Sequence, residues 1–136
     1  MKKLLFAFTA FLLFSCSNSD DDNGSNSSNS DFHPPAWIQG TWGIKADGTT
    51  SKNPMYKFTT NNLCQLSQVT SMCWKESIEQ APSIYSGSDT STASLYEANF
   101  IQSQGAVTIT LKFKKISATK IAWIYNGIDI ELDKLD

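Results

Sequence analysis

Residues 120 to 133 read KIAWIYNGIDIELD, two stretches of alternating character either side of Asn126-Gly127. Asn-Gly suits a two-residue hairpin turn because both positions tolerate positive φ. A turn there sets Tyr125 against Ile128, Trp123 against Ile130 and Ile121 against Leu132, all apolar and on one face. Ile124 then meets Asp129, Ala122 meets Glu131 and Lys120 meets Asp133 on the other. A slip of one residue would turn the whole apolar set outward, so this register is strongly specified.

The same logic extends upstream. With Gln104-Gly105 as the turn, Phe100 faces Ile109, Ala98 faces Leu111 and Tyr96 faces Phe113, while Glu97 meets Lys112 on the opposite face. A third hairpin is expected with a three-residue loop, Thr60-Asn61-Asn62, setting Phe58 against Cys64 and Tyr56 against Leu66. Residues 71–80, SMCWKESIEQ, fit either a short helix, with Trp74 and Ile78 at i, i+4, or a strand. The Ser/Thr-rich stretch at 86–94 reads as a loop. Successive hairpins with one apolar face predict an all-β fold. It is a small antiparallel up-and-down β-barrel of about seven or eight strands, since closure covers that face and removes exposed edges. Residues 32–136 hold this single domain, with four each of Phe, Tyr and Trp.

The chain begins with two lysines and then LLFAFTAFLLF. Charge followed by a short apolar run has the layout of a secretory leader. The run falls short of the roughly 20 residues a spanning helix needs. Leu13-Phe14-Ser15-Cys16 resembles a bacterial lipobox, with an apolar residue at −3, a small one at −1 and then cysteine. That resemblance implies cleavage after residue 15 and lipidation of Cys16 by fatty acyl chains such as palmitate, which become the membrane anchor. Residues 1–15 are then the signal peptide. After the lipidated Cys16, residues 17–31 carry no hydrophobic side chain and read as a flexible acidic, Ser/Asn-rich tether. Its reach is roughly 20–23 Å. Asp20-Asp21-Asp22 resembles the export signal of Bacteroidota surface lipoproteins. That resemblance implies the outer membrane, facing the cell exterior, with the periplasmic face as the alternative.

Removing Lys2 and Lys3 with the leader leaves 9 lysines against 13 acids. Asp20, Asp21, Asp22 and Asp31 belong to the tether, so from residue 32 onward 9 face 9 and there is no arginine. Nucleic-acid binding needs a basic patch, and this domain has none to offer.

Residues 34–44, PPAWIQGTWGI, place Gly40-Thr41-Trp42 on the first strand. This resembles the G-x-W signature of lipocalins and related barrels, and FKKISATKIAW at 113–123 resembles a late stretch of small lipocalin-like lipoproteins. The resemblance implies that Gly40 and Trp42 mark the barrel floor, with Trp37 and Ile38 beneath. Typical lipocalins also carry an arginine over the tryptophan, which this chain lacks.

Catalytic groups are scarce. His33, the one histidine, precedes Pro34-Pro35 and reads as a linker residue; neither metal-ligand spacing nor a G-x-S-x-G elbow occurs. The expectation is a protein that is not an enzyme and uses no cofactor or metal. Asp129, Glu131 and Asp133 share a solvated strand face. Cys64 and Cys73 form a disulfide, as export favours, or remain two buried thiols, as an inward-facing Cys64 favours. The interior is expected to hold Tyr56, Phe58, Tyr96, Phe100, Phe113, Trp123 and Tyr125. So many rings favour a filled barrel acting as a binding or interaction module for an unidentified protein or glycan. The alternative is a lipocalin-like carrier of a small hydrophobic ligand, which requires a cavity above about 300 Å³. For the anchor, Cys16→Ala should leave an unprocessed, unacylated precursor. Normal processing and unchanged detergent-phase partitioning of that variant would contradict the lipid anchor.

Overall fold

The computed structural model describes residues 32–45 and 52–136. The leader, Cys16 and the tether assigned from the sequence lie outside the described residues. Nine antiparallel strands form one curled sheet: β1 (Gly40–Lys45), β2 (Lys52–Phe58), β3 (Leu63–Leu66), β4 (Ser71–Cys73), β5 (Tyr85–Ser91), β6 (Leu95–Gln102), β7 (Val107–Lys115), β8 (Lys120–Tyr125) and β9 (Ile128–Lys134). Their order is β4-β3-β2-β1-β9-β8-β7-β6-β5, an up-and-down meander in which β9 returns to β1. The fold is all-β as expected, with nine strands rather than seven or eight. β4 and β5 are its two edges and do not pair, so the sheet is a curled half-barrel. One helix, α1 (Trp74–Gln80), runs from the end of β4 toward β5.

The two C-terminal registers follow the alternation that predicts them. Tyr125 pairs with Ile128, Trp123 with Ile130 and Ile121 with Leu132. Positive φ at Asn126 (50°) and Gly127 (79°) closes that hairpin. Tyr96 pairs with Phe113, Ala98 with Leu111 and Phe100 with Ile109. Lys112 reaches Glu97 at 2.9 Å on the outer face. The strands stop at Gln102 and Val107, so a four-residue connection with a 3₁₀ turn replaces the tight turn while keeping the register.

The β2–β3 hairpin differs from expectation. Phe58 pairs with Leu63, Lys57 with Cys64 and Tyr56 with Gln65, one residue away from the predicted register. The loop is the two-residue Thr60-Asn61, closed by Thr59 N–H donating to the Asn62 carbonyl. The physical reason is Leu63, which is fully buried opposite Phe58. Filling that position turns Cys64 onto the outer face with Lys57, not into the interior. Asn62 is buried here because it holds α1 in place. Its Oδ1 accepts from the Leu63 and Lys75 N–H groups at 2.8 and 3.0 Å, and its Nδ2 donates to Glu76 at 2.6 Å. The helix N-cap residue, Cys73, supplies no side-chain cap, so the hairpin turn caps the helix from outside.

Both readings of residues 71–80 hold in part: three residues extend as β4, then the chain turns helical. Trp74 and Ile78 lie on the buried side of α1, as their i, i+4 spacing requires. Residues 86–91, part of the stretch expected as a loop, instead belong to β5, which pairs with β6 through seven successive positions. The stretch lacks an apolar alternation because its inner side is filled by other segments. Phe32 is wholly buried against Trp74, with ring centroids 5.8 Å apart. A Cβ at Gly87 would overlap the Phe32 ring and sit 3.0 Å from Ile78 Cδ1. Two residues on, Asp89 accepts a hydrogen bond from the Tyr96 hydroxyl at 2.9 Å and another from the His33 N–H. The His33 ring itself is exposed, as a linker residue would be.

Burial falls along the strands and defines two ends. Ile38, Trp42, Leu63, Tyr96, Phe113, Ile121 and Leu132 are fully buried at one end, whereas Tyr125 and Ile128 at the other are more than half exposed. We call these the packed end and the open end. Overpacking a filled core costs roughly 1–3 kcal/mol. Gly87→Ala should therefore lower thermal stability by about that amount, and Phe32→Leu introduced with it should recover part of the loss. Equal melting temperatures for wild type and Gly87→Ala would contradict the packing described.

Candidate functional site

At the packed end the rings form one continuous network. Phe113 meets Tyr56 and Phe58 edge-on, each with centroids 5.0 Å apart, and Phe58 meets Tyr96 at 5.8 Å. Such pairs add about 0.5–1.5 kcal/mol each beyond the area they bury. Trp42 closes this end, fully buried, its indole N–H donating to the Ile38 carbonyl at 2.6 Å. Trp37 is only partly buried and donates to the Thr92 carbonyl at 3.2 Å. Gly40 has φ of 125° and lies where the Lys134 and Asp136 side chains approach the backbone. Lys134, on the last strand, places its ammonium 5.6 Å from the Trp42 ring centroid. An ammonium at that distance is attracted by the electron-rich face of the indole.

Of the residues expected inside, Tyr56, Phe58, Tyr96, Phe100 and Phe113 are buried. Trp123 is half-buried and stacks at 5.1 Å on Tyr125. Tyr125, expected inside, is instead exposed at the open rim, because β8 ends at this residue. Burial pushes the Tyr56 hydroxyl far above its ordinary pKa. Burial, reinforced by the charge and hydrogen bond of Asp89, does the same for Tyr96. Both phenols stay protonated and serve the packing. Cys64 and Cys73 are joined in a disulfide across β3 and β4.

Two hollows flank α1. The larger, about 620 Å³, lies on the outer face between β3–β4 and the helix, with Cys64 and Cys73 among its lining residues. Its walls carry Lys57, Lys75, Glu76 and Glu79. Two of these charges, Lys75 and Glu79, lie 4.0 Å apart, and Glu76 is engaged by Asn62. Its walls are charged and partly self-paired, a poor match to an apolar ligand.

The smaller hollow, about 320 Å³, opens between α1 and the inner face of β5–β7 near the open end. Met72, Tyr85, Phe100 and Ile109 form its apolar walls, with Ala81 beside them. Ser77, Gln80 and Gln102 are its polar lining residues, and no charged side chain borders it. Tyr85 and Phe100 stack with centroids 5.1 Å apart and planes at 28°, forming a flat platform. Trp74 packs on Phe100 at 5.2 Å, and among the described residues its buried indole N–H has no hydrogen-bond partner. This pocket exists because β4 and β5 do not pair: the helix fills the deep part of the gap and leaves the mouth open.

Of the expected interior residues only Phe100 lines the pocket. Tyr85 and Met72 escape a sequence reading because each borders a stretch of ambiguous or polar character. Ile109 carried a signal, since the β6–β7 register already set it beside Phe100.

Asp129, Glu131 and Asp133 sit on the outer face beside lysines: Lys114 with Asp129, and Lys120 with Glu131 at 3.1 Å and Asp133 at 3.6 Å. The Glu131 hydrogen bond and both carboxylate charges raise the Lys120 pKa. Among the described residues no group of three or more His, Cys, Asp or Glu side chains is placed to hold a metal ion. No protein family, curated protein or solved structure matches the chain.

Proposed function

We infer that the protein is a lipid-anchored, non-enzymatic binding module of the bacterial outer membrane, carrying a small uncharged apolar ligand in its open-end pocket. The observation that carries this reading is the hollow of about 320 Å³ walled by Met72, Tyr85, Phe100 and Ile109 without a charged neighbour. That volume lies at the lower limit of small-ligand sites, and the mix of apolar walls with a few neutral polar groups matches their chemistry. The filled packed end supports placing the ligand in the mouth rather than along the barrel axis. Gln80 and Gln102 offer hydrogen bonds to a neutral polar group on the ligand.

The leader, Cys16 and the acidic segment after it support attachment through an N-terminal lipid, and Asp20-Asp21-Asp22 supports an outward-facing position. The domain then works as a tethered carrier or sensor, with no reaction and no cofactor. A second reading, a filled scaffold that binds a protein or glycan through its outer face, is favoured by the dense ring network of the packed end.

Native mass spectrometry of residues 32–136 purified from a bacterial host separates the two. The carrier reading predicts an extra mass of a small apolar compound, absent from Ile109→Trp, whose larger ring fills the hollow. A bare protein in the wild type would contradict it and favour the scaffold.

A further inference from the structure

Ten large apolar side chains are exposed among the described residues, and only Leu95 and Ile116 lie at the packed end. The other eight gather at the open end, a position fixed by the strand directions and registers. Several stand on tips: Val69 is 88 % exposed between β3 and β4, Ile84 precedes β5, and Val107 opens β7. Tyr125 and Ile128, 52 % and 65 % exposed, flank the β8–β9 turn. Met72 and Ile109 continue this collar inward as walls of the pocket.

The described part of this end carries little charge. Its described connections, residues 67–70, 81–84, 103–106 and 126–127, contain no Lys, Asp, Glu or His. Lys45 and Lys52, at the strand ends beside the β1–β2 connection, are the nearest described cations on that side, and long lysine stems let their ammonium groups stay in water. A face without charges can leave water at little electrostatic cost, whereas one buried unpaired charge costs several kcal/mol.

We propose that the open end docks on a neutral phospholipid surface, and that the pocket receives an acyl chain drawn from it. The second half rests on the ligand reading above; the first stands on the collar alone. Lipid is the occupant that fits. The apolar groups are single side chains on separate tips, spaced around a mouth, a shape that a fluid acyl layer accommodates more readily than a rigid protein face does. A tyrosine at the rim suits the boundary between headgroups and hydrocarbon. The described chain begins midway along β5, where Phe32 meets Gly87 and His33 meets Asp89, and runs from there to the packed end at Trp37 and Ile38. Between Cys16 and Phe32 stand fifteen residues, which span up to about 50 Å when extended. Strands of six to nine residues, as most here are, span only about 20–30 Å. The anchor segment is therefore long enough for the open end to turn back onto the membrane that holds the lipid.

Residues 32–136 contain every core side chain found among the described residues, so this part serves for the assay without its leader. Flotation with vesicles of zwitterionic phosphatidylcholine should carry the protein upward, equally at low and high salt. The double substitution Tyr125→Ser, Ile128→Ser should weaken partitioning about tenfold or more, the loss expected when two half-exposed apolar side chains no longer enter the acyl layer. Val69→Ser, in an exposed connection, should weaken it in the same direction, while Leu95→Ser at the packed end should leave it unchanged. Unaltered melting temperatures show that the variants are folded. Failure of the wild type to float, flotation only with anionic vesicles, or flotation indifferent to the tip substitutions would overturn the proposal. Salt-independent flotation combined with a ligand-free native mass would retain the docking face and remove the pocket's ligand.

Discussion

The failure of β4 and β5 to pair is the constraint from which the rest of the structure follows. Eight strand pairings curl the sheet into a half-barrel, and its two edge strands do not pair with each other. An unpaired edge inside a small domain would leave backbone groups and the apolar interior open to water. Here the breach is wedged rather than hydrogen-bonded. Trp74 and Ile78 enter it from α1, Phe32 enters from the N-terminal segment, and Gly87 leaves room for the Phe32 ring. Asp89 fixes the N-terminal segment to the strand beside the breach. These side chains fill only its deep part. The pocket is what remains.

This arrangement divides the molecule by function as well as by packing. The packed end holds interlocked rings, with Trp42 capped by Lys134. At the open end the same strands run out of apolar partners, and their inward-facing residues become pocket wall and collar. Neutrality matters as much as hydrophobicity there. Lys112, Lys114 and Lys120 pair with acids across strands on the outer face, where each exposed pair adds at most about 1 kcal/mol and its charges stay solvated. The described connections of the open end between β3 and β4, α1 and β5, β6 and β7, and β8 and β9 carry no charged side chain.

Strands with one buried face were legible because alternation and turn chemistry agreed. Tyr125 through Leu132 shows this, and so does the run from Tyr96 to Phe113. β5 was hidden for a physical reason: its middle inner positions are Gly87 and Asp89, one kept small for an incoming ring and the other kept polar for two donors. The β2–β3 register departs from the expected one because Leu63 takes the interior place opposite Phe58, which leaves Cys64 facing its disulfide partner outside. Only part of the pocket was legible. Phe100 and Ile109 followed from their pairing, but Met72 and Tyr85 are brought to them by the helix that bridges the breach, and no local pattern records that.

The central claim is that the interior is full at one end and receptive at the other. Methyl-resolved NMR of residues 32–136 titrated with 1-octanol tests it most directly. The account predicts saturable shifts at the Met72 and Ile109 methyl groups, with those of Leu63, Ile121 and Leu132 unmoved. Shifts at the packed end instead, or no saturable shift at Met72 and Ile109, would contradict it.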